Sequence, residues 1–115
     1  MQRKITIKNN LEIEAGGDSV YEDLQYANAE EMQVKAQLAA IIAELLQERG
    51  LSQTEAAVML GMTQPKLSNL LRGQFRGISE FKMLSCLMCL GGQINIQVKK
   101  PRLKTTRGHL TVSVS

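Results

Sequence analysis

Aromatic side chains are nearly absent from this chain: its 115 residues include two tyrosines, two phenylalanines and no tryptophan. Tyr21, Tyr26, Phe75 and Phe81 must share the bulky packing with Leu, Ile and Met. That scarcity argues against recognition of single-stranded nucleic acid, which relies on exposed rings as stacking platforms. Long apolar runs are missing too. None approaches the roughly 20 residues that a bilayer crossing needs, so no membrane partner is expected. The opening "MQRKITIKNN" carries charge but no apolar h-region, so no secretory leader is expected and the chain is expected in the cytosol.

Groups suited to chemistry are equally few. Cys86 and Cys89 spell "CLMC", but a zinc site takes about four ligands, and the chain has no second cysteine pair and one histidine, His109. A redox pair would sit at a helix N-terminus beside a βαβ unit, whereas these cysteines fall late in an apolar stretch. Both are therefore expected to pack as small buried hydrophobes. No nucleophile–base pair, metal cluster or phosphate loop is present, so neither an enzyme nor a cofactor is expected.

What the chain does have is uneven charge. Residues 1–31 set three bases against seven acids, a balance of −4; residues 32–92 set six against four, +2; residues 93–115 carry five bases and no acid, +5. An acidic front and a basic back suit two kinds of partner, one of them polyanionic.

The length suits one domain with tails. In residues 1–29, "KITIKNNLEIE" alternates at Ile5 and Ile7, then at Leu11 and Ile13, and "AGGDS" breaks it. The segment reads as a short strand or a flexible acidic arm that orders on a partner. From Glu30 to Arg49, Val34, Leu38, Ile41, Ile42, Leu45 and Leu46 recur at three and four residues, the mark of an amphipathic helix that Gly50 stops. Ser52 with Glu55 forms a capping box for a helix over Gln53 to Leu60, ended by Gly61. Thr63 caps the next helix, or Gln64 does with Pro65 at the first helical position, and this helix runs to Arg72. Ser79 caps a fourth helix to Leu90. "QINIQVKK" then alternates with Ile94, Ile96 and Val98 on one face, and "HLTVSVS" alternates after Pro101. A strand after four helices needs a partner, either from a returning tail or from a second subunit.

Two helices meeting at a tight turn explain the polar stretch "GMTQPKLSN". Counting from Gln53, the fifth residue is Ala57, small where the helices come closest, and the ninth is Gly61 at the turn. Ala56, Leu60, Met62, Leu67 and Leu70 occupy core-facing positions. Gln64, Pro65, Lys66, Ser68, Asn69 and Arg72 are left on the outer face, where a helix fits a major groove. The amides of Gln64 and Asn69 suit an adenine edge, Lys66 a guanine edge or a phosphate, and Gln53, Arg72 and Arg76 suit phosphates.

The residues "LSQTEAAVMLGMTQPKLSNLLRG" resemble the Cro/phage-repressor-like, Xre-type helix-turn-helix family over residues 51–73. The resemblance implies an all-α, lambda-repressor-like helical domain that binds a double-stranded DNA operator. Gln53, Thr63, Gln64, Pro65, Lys66, Ser68, Asn69, Arg72 and Arg76 are its candidate contact set, although Pro65 stands where a polar residue is commoner. More narrowly, "DSVYEDL", "AEEMQVKAQLAAIIAELLQERGLSQTEAA", "RGQFRGIS" and the alternation after Gly92 resemble antitoxins of host-inhibition-of-growth modules. That similarity implies a homodimer that represses its own operon and neutralises a ribonuclease toxin. The expected organisation is thus an acidic arm over 1–29, a helix-turn-helix domain over 30–92, and a C-terminal strand with a basic tail over 93–115. The strand is expected to serve dimerisation.

Overall fold

The computed structural model describes residues 17–102 and 107–115. The expected alternation at Ile5, Ile7, Leu11 and Ile13 lies outside them. Among the described residues there are four α-helices: α1 (Gly17–Arg49), α2 (Gln53–Leu60), α3 (Gln64–Leu71) and α4 (Glu80–Cys89). No helix among these residues is long and apolar enough to cross a membrane.

The chain divides into two units, Met1–Glu31 and Met32–Ser115. In the second unit one apolar core joins side chains from all four helices. Val34, Leu38, Ile42 and Leu46 form the buried stripe of α1; Ala56, Ala57 and Leu60 come from α2; Leu67 and Leu70 come from α3; and Met83, Cys86 and Leu87 come from α4. Spacings of three and four residues put each of these sets on a single helical face. Phe75 and Ile78 from the α3–α4 loop complete the core together with Leu90. Buried alanines at 56 and 57 let α2 lie close to its neighbours, and it packs on both α3 and α4.

Helix ends follow the side-chain chemistry expected of them. Ser52, Thr63 and Ser79 each cap a helix, with the side-chain oxygen accepting a backbone N–H of the first turn. Arg49, in the last turn of α1, donates from Nη2 to the Leu90 carbonyl at 3.2 Å, which ties the end of α1 to the end of α4.

Three expectations need correction. The first helix starts at Gly17, not Glu30. The stretch from Asp18 to Glu31 carries Glu22, Glu30 and Glu31 as good helix formers, and Val20, Leu24 and Ala27 recur at four and three residues. That short, thin pattern went unread beside the alternation that precedes it.

The C-terminal β element is not formed: residues 93–102 and 107–115 contain no strand. Ile96, Val98, Leu110 and Val114 are exposed, and only Val112 packs partly against the core. A strand exists by pairing its backbone with another strand, and none forms among the described residues.

Cys89 is exposed, while Cys86 is buried. The α4 core positions are 83, 86, 87 and 90, and residue 89 falls off that stripe.

Candidate nucleic-acid interface

Two corners hold α3. At its front, Gly61 adopts φ +69°, a left-handed conformation in which a side chain would be strained. Its N–H donates to the Val58 carbonyl at 3.2 Å, and the Met62 N–H donates to that of Ala57 at 3.0 Å. These two bonds close the end of α2 and turn the chain at once into the next cap. The Thr63 hydroxyl accepts the Lys66 N–H at 3.3 Å, and Pro65 occupies the first turn, where no intrahelical N–H bond is lost. From α4, Lys82 Nζ donates to the carbonyls of Leu60 at 3.1 Å and Gly61 at 3.5 Å, pinning the corner from behind.

At its rear, Gly73 takes φ +88° and the Gln74 N–H donates to the Asn69 carbonyl at 2.7 Å. The chain then makes a tight turn, in which the Ile78 N–H donates to the Phe75 carbonyl at 3.0 Å. Phe75 and Ile78 are buried on either side of exposed Arg76 and Gly77.

Between these corners Leu67 and Leu70 point into the core, and the opposite face of α3 is open. Gln64, Pro65, Lys66 and Arg72 are exposed, and Ser68 and Asn69 are half-buried. With Gln53 from the start of α2, all of these but Lys66 surround one shallow, solvent-open depression. The structure therefore brings six of the nine candidate residues together. Thr63 is occupied as a cap, Lys66 is exposed outside the depression, and Arg76 stands on the following turn. No acidic residue lies in α3, so its face carries cations and neutral amides.

Arg72 does more than extend a charge. Its Nη1 donates to Ser68 Oγ at 2.8 Å and its Nη2 donates to Asn69 Oδ1 at 2.6 Å. These bonds leave Asn69 its amide donors and a second lone pair on Oδ1, so the residue keeps both halves of an adenine contact. The guanidinium also orients that amide. Gln53 is placed by the capping box beside it: the Glu55 N–H donates to Ser52 Oγ at 3.1 Å, and the Ser52 N–H donates to Glu55 Oε1 at 3.0 Å. Hydrogen bonding from the Ser52 backbone first, and from its side chain second, holds the Glu55 carboxyl below its ordinary pKa. Burial pushes the Cys86 thiol up, with Lys82 opposing, which is contrary to what a reactive cysteine needs.

Residues 20–99 match the model of a family described as a helix-turn-helix domain. A solved structure provisionally named an XRE family transcriptional regulator superposes with a TM-score of 0.69 and 30% sequence identity. The match covers 76% of this chain and 98% of that one. The chain belongs to the XRE helix-turn-helix family. No curated protein matches it.

In this XRE-family chain the matched span contains every residue of the α3 face and both corners. Two lysines that bond the turns flanking α3 went unread in the sequence: Lys82 at the corner before it, and Lys35, which donates to the Arg76 carbonyl in the turn after it. Lys35 left a signal: it sits inside the apolar stripe of α1, between Val34 and Leu38, where a charge must have a specific partner. Lys82 left none, since a lysine in the first turns of a helix is ordinary on a solvated surface.

Proposed function

We propose that the protein is a sequence-specific double-stranded DNA-binding transcriptional regulator that acts as a repressor by occluding its operator. One observation carries this reading. The outer face of α3 and its C-cap expose Gln64, Lys66 and Arg72 beside half-buried Asn69, free of acids, while the inner face is locked into the core. A helix so mounted can enter a major groove, where amides read adenine edges and cations meet guanine or phosphate.

One short helix reads few base pairs, so a homodimer on a palindromic operator completes the reading, with half-sites about 34 Å apart. The segment after Gly92 supports this. Its exposed Ile96 and Val98 alternate with polar residues, the pattern of a strand with one face to bury. Pairing with the same segment of a second copy would supply the strand neighbour that no described residue provides.

Selection of bound duplexes from a random library tests the reading. It should enrich a two-fold symmetric sequence, and Gln64→Ala should weaken binding to it by about 1–3 kcal/mol while relaxing preference at one position per half-site. Tight binding with no enriched sequence would sink the claim of specificity.

A second reading, an antitoxin that represses its own operon and neutralises a ribonuclease toxin, is favoured by the front of the chain. Residues 1–31 form a separate unit with a charge of −4, unsuited to DNA and suited to a basic protein. Removing residues 1–29 should abolish neutralisation and spare operator affinity; loss of DNA binding instead would overturn that division of labour.

A further inference from the structure

Lys35 is the one charged residue buried among the described residues, at 3% exposure. It occupies the apolar stripe of α1, where Met or Leu would pack without the desolvation cost of an ammonium. Its Nζ donates at 2.9 Å to the backbone carbonyl of Arg76, 41 residues away in sequence. That carbonyl belongs to the turn closed by the Ile78 N–H on the Phe75 oxygen. The turn is thus held at three points: the buried Phe75 ring, the buried Ile78 side chain, and the lysine on the peptide between them. Arg76 itself remains exposed at the tip.

From this geometry we infer that Lys35 is a positioning residue for DNA binding: it fixes the turn after the recognition helix so that Arg76 meets a backbone phosphate. The inference rests on the DNA-binding reading above and adds a residue that touches no DNA. An arginine on a loose loop spends conformational entropy each time it engages a phosphate, whereas one on an anchored turn arrives close to its final place. Two apolar anchors hold the ends of the turn but leave its central peptide free to rotate. A donor on that peptide's oxygen removes this freedom. The lysine stem is buried as hydrocarbon while its ammonium reaches the Arg76 carbonyl. The residue would therefore belong to the interface although it is buried beneath it.

The test uses the full chain and a mixed-sequence duplex, comparing wild type with Lys35→Met, Arg76→Ala and the double variant. Amide exchange is read without DNA, and affinity is read across a salt series. In Lys35→Met, exchange at Ile78, whose N–H bonds the Phe75 carbonyl, should quicken while the α2 and α3 amides keep their protection. The slope of log affinity against log salt should fall by about one in Arg76→Ala, by a comparable amount in Lys35→Met, and no further in the double variant. A wild-type slope in Lys35→Met, or additive losses in the double variant, would overturn the inference. Should Lys35→Met unfold, Lys35→Gln, polar but too short to reach the carbonyl, carries the same comparison. Failure of the wild type to bind any duplex would refute the DNA-binding reading. The exchange data would then still decide whether Lys35 holds the turn.

Discussion

The α2–α3 corner and the segment after Gly92 each carry a plain apolar pattern, and they meet opposite fates. In the corner, Leu67 and Leu70 are 0% and 1% exposed; in the segment, Ile96 and Val98 are 76% and 82% exposed. The difference lies in what each element needs from outside itself. A helix closes its own backbone hydrogen bonds and asks neighbours only for an apolar surface, which the shared core provides. A strand must borrow its hydrogen bonds from another strand, and no described segment offers one. Patterning is therefore enough to place a short helix in this chain and insufficient to make a strand.

The sharpest way to break that comparison is to empty the core beneath the corner. Leu67→Ala should cost about 2–5 kcal/mol by urea unfolding, because the site is fully enclosed and cannot collapse freely; a cost under 1 kcal/mol would mean that α3 is not anchored as described. Gly61→Ala comes next, at about 1–2 kcal/mol, all of it from the left-handed backbone. A Cβ there would approach only Lys82 Nζ at 3.8 Å, an ordinary contact, so steric clash contributes nothing. If Gly61→Ala proved neutral in the same unfolding assay, the corner would have to adopt another conformation.

On the other side of the comparison, Val98→Asp should move the unfolding midpoint of dilute, monomeric protein by no more than about 0.5 kcal/mol. Light scattering at higher concentration should show it failing to associate. A stability loss as large as that of Leu67→Ala would place the segment in a packed interface even at the lowest concentrations. The smallest effect concerns the capping box. The folded-state pKa of Glu55 is depressed, so its stabilisation is fully present above the unfolded-state pKa and fades as pH falls through the folded one. Glu55→Gln should flatten that part of the acid limb in thermal melts taken as a function of pH, and an unchanged limb would remove Glu55 from the account.

Much of the fold was legible because its signals are local. Ser52 with Glu55, Thr63 and Ser79 announce helix starts, and Gly61 marks the corner at which the chain turns left-handed. The candidate face was legible for a related reason: once Leu67 and Leu70 are assigned inward, the 3.6-residue repeat leaves Pro65, Ser68, Asn69 and Arg72 outward, with Gln64 at the edge of that face. The start of α1 went unread because Val20, Leu24 and Ala27 keep helical spacing but make only a thin signal among acids and tyrosines. Cys89 misled because a pair three apart in a helix need not share a face when the stripe runs through only one of them. The bonds from Arg72 to Ser68 and Asn69 depend on rotamers that no spacing rule prescribes. Lys35 depends on a peptide 41 residues away, beyond any local pattern.

By itself the sequence determined where α2, α3 and α4 begin and end, which of their faces turn inward, and that α3 keeps a polar, acid-free outer side. Capping and periodicity act over a few residues and can be read there. Only the tertiary structure decided how that face is held: Lys82 on the corner, Lys35 on the Arg76 turn, Arg49 on the end of α4. It also decided that the C-terminal alternation makes no strand among the described residues. Each of these outcomes turns on whether a distant donor or partner lies within hydrogen-bonding reach, and that distance is set by the packed core rather than by neighbours along the chain.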